Sequence, residues 1–274
     1  MRLVDTHSHV HDREFDRDRD ETIERARAAG VEIIVTLGVN IENSRDAVAL
    51  AERHPSIVAA AAAVHPHDAK DATGADLDAL EELTGDPSVV LVGEIGLDFY
   101  RNLSPRDRQL AVLRRQLQTA SRIGKPVAVH ARDAHDAIEP ELARWSREMG
   151  GKLRDGRPLG VMHYFAGDAA LAQRYIELGF VISVHTSVTH PNARVLAGVV
   201  RTTPLEHLVL ETDSPYGAPQ SHRGKRNEPA YVAEACKKVA ELKGDSVERV
   251  SKMTTDNAMR LLGLAVPAGR WAVP

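Results

Sequence analysis

Short runs of β-branched and aliphatic residues recur along the whole chain, at 3–6, 31–36, 57–64, 89–92, 127–129, 159–162, 180–183 and 208–210. They are almost continuously apolar. A strand with one wet face alternates apolar and polar residues, whereas a strand buried on both faces does not. Helical signals fill the intervals. Residues 21–29 stop at Gly30, Asn43 is placed to cap 44–53, and Ser104-Pro105 opens a helix that runs to Ile123 before Gly124. Asp168 can cap 169–178, which stops at Gly179, and further helices are expected at about 230–242 and 246–262. Residues 146–158 are polar, basic and Gly-bearing and read as an extended surface loop. Eight strands separated by helical segments predict a (β/α)8 TIM barrel as one domain over residues 1–264, with a loose C-terminal tail at 265–274. An open doubly wound sheet is the alternative, but neither a G-x-G-x-x-G nor a P-loop is present to serve that sheet's usual nucleotide site.

Length and composition narrow this picture. A chain of 274 residues suits one α/β barrel. The formal charge of -4 predicts no general attraction to nucleic acid or membrane, so an anionic substrate must be held by local cations. The single cysteine, Cys236, excludes an internal disulfide and a thiolate metal cluster, and its helical neighbours Val232, Ala235 and Val239 make it a packing residue. Met1 leads directly into a strand, with neither a signal-peptide pattern nor a run of membrane-spanning length. A cytoplasmic monomer is the expectation.

The residues just after each strand carry the chemistry. His7 and His9 come after the first, His65 and His67 after the third, Glu94 after the fourth, His130 after the fifth, His163 after the sixth, His185 after the seventh, and Glu211 with Asp213 after the eighth. In a parallel barrel these positions share the C-terminal end, where barrel active sites sit. A single histidine is usually packed or hydrogen-bonded, but that explanation strains when strand after strand ends in one. The extended His7-Ser8-His9 aims both imidazoles to one side, a pincer for a divalent metal. Glu94, between glycines in Gly93-Glu94-Ile95-Gly96-Leu97-Asp98, can bridge two cations, and Asp213 can be both ligand and proton acceptor. The mixed nitrogen and oxygen set does not choose among magnesium, manganese and zinc. Such a site would hydrolyse an ester, an amide or a phosphodiester.

With these residues in place, the chain resembles the TatD family of metal-dependent deoxyribonucleases, within the amidohydrolase superfamily. The resemblance rests on Asp5-Thr6-His7-Ser8-His9, Val64-His65-Pro66-His67, the Glu94 segment, Pro126-Val127-Ala128-Val129-His130-Ala131-Arg132, His163-Tyr164-Phe165-Ala166-Gly167, Glu211-Thr212-Asp213-Ser214-Pro215 and Arg223-Gly224-Lys225-Arg226-Asn227-Glu228-Pro229. It implies a somewhat distorted barrel. It also implies one metal held by His7, His9, Glu94 and Asp213, and a second held by Glu94, His130 and His163, with Glu94 bridging. Asp213 would be the base, and His65 would face the phosphate. The implied activity is nuclease, including 3′ to 5′ trimming of DNA, which points to single-stranded DNA or free 3′ ends as partner. Tyr164, Ala166 and His185 depart from the family's usual cysteine, serine and glycine and alter the cleft. His185 is either a substrate contact or a packing residue.

Further candidates for substrate binding are Arg132, which could instead pair with Asp133 or Asp98, and the loop cations Arg223, Lys225 and Arg226, which could equally be a solvated basic loop. Tyr100 and Tyr216 could stack on bases, although an exposed or half-packed tyrosine is commoner. Asn227-Glu228-Pro229 reads as a cap opening the next helix. His11, His54, His135, His190, His207 and His222 are read as structural. Two other functions remain at this point. One is hydrolysis of a small-molecule ester, amide or lactone; against it, no lysine stands after the fourth or fifth strand to serve as a carbamylated bridge. The other is a catalytically idle binding protein, which would have no need of six ligands.

Overall fold

The computed structural model describes residues 1–264, and the expected tail at 265–274 lies outside them. Eight strands alternate with helices: β1 (Leu3–Ser8), α1 (Arg19–Ala28), β2 (Val31–Leu37), α2 (Ile41–Arg53), β3 (Val58–Ala62), α3 (Gly74–Leu83), β4 (Val89–Asp98), α4 (Arg106–Ile123), β5 (Val127–Arg132), α5 (His135–Met149), β6 (Gly160–Met162), α6 (Ala169–Glu177), β7 (Phe180–His185), α7 (Arg194–Thr202), β8 (Leu208–Glu211), α8 (Val232–Lys243) and α9 (Val247–Leu262). The strands lie in chain order in one sheet, each parallel to the next. A Ser8–Ser214 bridge and the bonds His9 N–H to Ser214 O (2.7 Å) and Asp213 N–H to His7 O (2.8 Å) draw the two outer strands together. The expected barrel is therefore present. Its distortion lies in this short seam and in the register shifts between β1 and β2, β3 and β4, and β4 and β5.

Two layers of apolar packing explain the strand pattern. The larger joins one strand face to the helices through Ile23, Leu50, Leu113, Ile138 and Val239. The smaller takes Val4, Val35, Ala61, Val90, Ala128, Val161, Val181 and Val209 from all eight strands and fills the barrel axis. Ala258, Met259, Leu261 and Leu262 of α9 belong to it and plug the N-terminal end. There the Asn257 amide donates to the Leu205 and Leu208 carbonyls.

The local expectations fare unevenly. Asp168 does cap α6, its Oδ1 accepting from Leu171 N–H at 2.8 Å. Asn43 does not cap α2: Asn40 does, accepting from Asn43 N–H, while the Asn43 side chain accepts from Val39 N–H. The loop expected at 146–158 is partly helix, because α5 continues to Met149 and ends at Gly150. Ile138, Leu142 and Trp145 keep one face of α5 buried, and Ser146 Oγ donates to the Leu178 carbonyl. Asn227-Glu228-Pro229 opens the turn before α8 as expected, with Glu228 at the cap and Pro229 in the first turn, but the cap is not made by the side chain of Asn227. Its amide donates to Thr186 Oγ1 and to the Thr212 and Tyr216 carbonyls, tying together the loops after β7 and β8. No helix among the described residues is long and apolar enough to cross a membrane.

Candidate metal centre

Side chains on one face of a strand recur every second residue. On β5, β6 and β8 the axial Ala128, Val161 and Val209 are followed at that spacing by His130, His163 and Glu211, and Asp213 comes two residues later. The axis that is aliphatic below thus becomes ionisable above. β4 does not end before Glu94, as the apolar run suggested, but continues to Asp98, so Glu94 is fixed inside a strand. Gly96 permits this: a Cβ there would stand 1.9 Å from the His130 carbonyl oxygen. Asp213 sits at φ 59°, in the left-handed region that aspartate tolerates better than most residues.

The six proposed ligands converge. Glu94 Oε2 lies 3.4 Å from His7 Nε2 and 4.0 Å from His9 Nε2. Its other oxygen, Oε1, lies 2.7 Å from His130 Nδ1 and 3.5 Å from His163 Nε2. Asp213 Oδ1 stands 3.8, 3.6 and 3.7 Å from Nε2 of His7, His9 and His163. The ligand atoms of His7, His9 and Glu94 all lie within 4.8 Å of one another, as do those of His65, Glu94 and His130, and those of His7, His163 and Glu211. Both nitrogens of His7 are buried without a hydrogen-bond partner. A divalent cation answers such an orphaned, nitrogen- and oxygen-lined cluster, so these residues fit the group.

The outer contacts select which nitrogen each ring presents. His9 Nδ1 donates to the Leu37 carbonyl at 2.8 Å, leaving Nε2 bare. His163 Nδ1 faces Glu211 Oε1 at 3.1 Å, and His130 Nε2 faces Asp98 Oδ2 at 3.1 Å, each leaving the opposite nitrogen directed inward. Carboxylates behind ligating imidazoles commonly set ring orientation and basicity in this way. His65 is different. Its Nδ1 accepts the His67 backbone N–H at 3.1 Å, so a neutral ring carries its proton on Nε2 and is a donor there. Burial pushes His65 down to about 4, which keeps the ring neutral.

Electrostatics follow from crowding. Burial pushes the Glu94 carboxyl up, but the imidazoles of His163, His65 and His7 outweigh it and hold Glu94 well below the usual range. Burial also opposes ionisation of Asp213, and His9, His163 and His7 again reverse it. Asp213 is the more open carboxylate, its side chain 15% exposed against 5% for Glu94.

Three carboxylates in the surrounding contacts were not assigned these roles from sequence. Glu211 accepts from Tyr164 N–H at 2.7 Å as well as facing His163. Asp98 joins His67 and His130. Asp5, fully buried, accepts from Thr212 N–H at 2.8 Å and Thr212 Oγ1 at 2.6 Å, pinning β1 to the end of β8. Each lies two or four residues from a proposed ligand on its own segment, and that spacing was the available signal.

The remaining candidates separate. Arg132 pairs with neither Asp133 nor Asp98; its guanidinium lies 3.9 Å over the centroid of the exposed Tyr100 ring. Arg226 is tied to Asp18 and Glu228, whereas Arg223 and Lys225 are exposed and make no side-chain bond among the described residues. His185 is buried and lies flat on Tyr164, with centroids 3.7 Å apart and planes at 12°. Tyr216 is exposed near His9.

Comparison with known proteins agrees with this geometry. The family model described as TatD related DNase matches residues 4–263. An uncharacterized metal-dependent hydrolase, YabD, of Bacillus subtilis is 38% identical over 259 residues, covering 94% of this chain and 98% of its own. The 3′-5′ ssDNA/RNA exonuclease TatD of a Rahnella species is 35% identical over 257 residues, covering 92% and 95%. Among solved structures, the TatD homolog YjjV of Escherichia coli superposes with a TM-score of 0.87 at 30% identity, covering 97% of this chain and 98% of that one. The chain belongs to the TatD-related DNase family of metal-dependent hydrolases.

Proposed function

We propose that this protein is a two-cation phosphodiesterase that trims single-stranded DNA from its 3′ end. The observation that carries the reading is the division of Glu94: Oε2 faces His7 and His9, while Oε1 faces His130 and His163. One carboxylate shared between two nitrogen clusters is a donor set that would suit two divalent cations. His7, His9, Glu94 and Asp213 would hold one ion, and Glu94, His130 and His163 the other. Ions bound there supply positive charge to the phosphoryl oxygens and acidify a neighbouring water.

The chain's own groups do the rest. Asp213, ionised and the more open of the two carboxylates, takes the proton of the water that attacks phosphorus, while the bond from phosphorus to the 3′ oxygen of the penultimate nucleotide breaks and that oxygen leaves as a hydroxyl, protonated from solvent. His65 Nε2–H donates to a phosphate oxygen. Arg132 and Tyr100 at the rim, with Arg223 and Lys225 on the loop after β8, supply the local cations and stacking surface that an acidic chain needs to hold nucleic acid. His185, through its stack on Tyr164, shapes the β6–β7 side of the cleft.

Incubation of a 5′-labelled DNA oligomer with Mg²⁺ or Mn²⁺ tests this. A ladder shortening from the 3′ end, abolished by EDTA and lowered roughly 10²–10⁴-fold by Asp213→Asn, is expected. An intact oligomer with metal-loaded protein would reject the nuclease reading in favour of a small-molecule ester, amide or lactone.

A further inference from the structure

Beside the metal centre, a cleft of about 760 Å³ opens over the ends of β4, β5 and β6. None of the six proposed ligands lines it. Two arginines lie over two aromatic rings along its wall, Arg132 over Tyr100 at 3.9 Å and Arg106 over Phe99 at 4.2 Å. Neither guanidinium has a hydrogen-bond or ion-pair partner among the described residues, and both arginines are exposed, as is Tyr100. A guanidinium held flat on a ring keeps its in-plane N–H groups free for a phosphate. The open part of an exposed tyrosine ring is available to a base.

The wall is coupled to the ligands. Arg132 comes two residues after His130 on β5, about 7 Å along a strand at ~3.3 Å per residue. The Tyr100 turn is fastened to the same place: Phe99 N–H donates to the Arg132 carbonyl at 2.9 Å, and Arg101 N–H donates to Asp98 Oδ1 at 2.7 Å, while Asp98 Oδ2 faces His130. Asp133 and Asp136, elsewhere in the lining, disfavour phosphate on their side and leave the arginine wall as the place for it.

We infer that this cleft is a nucleotide subsite: Tyr100 stacks on the base of the nucleotide 5′ to the scissile phosphate, and Arg132 with Arg106 holds that nucleotide's own phosphate. The inference rests on the nuclease reading. It makes substrate length and the penultimate base matter, where the metal centre by itself would treat all phosphodiesters alike.

The test compares kcat/KM on a ten-nucleotide oligothymidylate with kcat/KM on bis(4-nitrophenyl) phosphate, which offers no upstream nucleotide, for the wild type, Tyr100→Ala and Arg132→Gln. Both side chains are exposed, so folding is not at stake. In each variant the ratio of the two values should fall at least about 5-fold, through KM for the oligomer. An oligomer abasic at the penultimate position should erase the Tyr100→Ala effect and preserve that of Arg132→Gln. A ratio that stays constant in both variants overturns the subsite while leaving the nuclease reading intact. Wild-type protein that cleaves neither substrate with metal removes both.

Discussion

The two ends of the barrel are built from the same strands and do opposite things. At the N-terminal end the axis holds Val4, Val161, Val181 and Val209, closed by Leu261 and Leu262 of α9. At the C-terminal end the next residues on the faces of Val161 and Val209 are His163 and Glu211, packed nearly as tightly at 6% and 0% exposure, and His7 of β1 joins them at 1%. The lower end gains stability from burial. The upper end loses it, because charged and polar groups are desolvated there and several are left without partners. Cation binding at the proposed ligands would offset that loss, and the contrast separates residues whose removal costs activity from those whose removal costs stability.

The sharpest way to test the contrast is to exchange the expected losses. Asp213→Asn should lower kcat by roughly 10²–10⁴-fold with little change in thermal midpoint; a lost midpoint with preserved turnover would place Asp213 on the stability side. Leu261→Ala, at the plug, should cost about 2–5 kcal/mol in a urea melt while folded enzyme keeps its turnover. Glu211→Gln should weaken metal affinity about 10–100-fold, seen as a shift in the Mn²⁺ concentration that restores activity, because Glu211 orients His163 rather than touching substrate.

The smallest effect belongs to neither end. Arg122 and Arg115 outweigh burial and hold Glu81, on the outer helices, at about 2 against an ordinary 4.5. A depressed carboxylate contributes stability above its unfolded pKa and loses it as pH falls through the folded value, so this contribution fades between about 4.5 and about 2. The pairs are partly exposed, so Glu81→Gln should cost under about 1 kcal/mol at neutral pH. The difference between variant and wild type should vanish in acid melts.

The apolar runs made the barrel legible because each strand is buried on both faces and therefore lacks alternation. Helices α3, α5 and α7 were not distinguished; α5, for one, carries Pro140, ends in a polar turn and buries only Ile138, Leu142 and Trp145 as apolar side chains. The proposed ligand residues were legible as a set because chain order in a parallel barrel places every strand end on one rim. Their supporting carboxylates were legible only in part: Glu211 stood at a strand end without a role, Asp98 and Asp5 were marked only by their spacing from Glu94 and His7, and the distances to His163, His130 and Thr212 supply the roles. Arg132 shows the same limit. Sequence proximity offered it Asp133, whereas the fold gives it Tyr100.

Whether one carboxylate joins two cation sites is read directly by equilibrium titration with Mn²⁺, followed by the EPR signal of the free ion. Two sites per chain are expected in the wild type and at most one in Glu94→Gln. A single site in the wild type, or two undiminished sites in Glu94→Gln, would contradict the bridging role of Glu94.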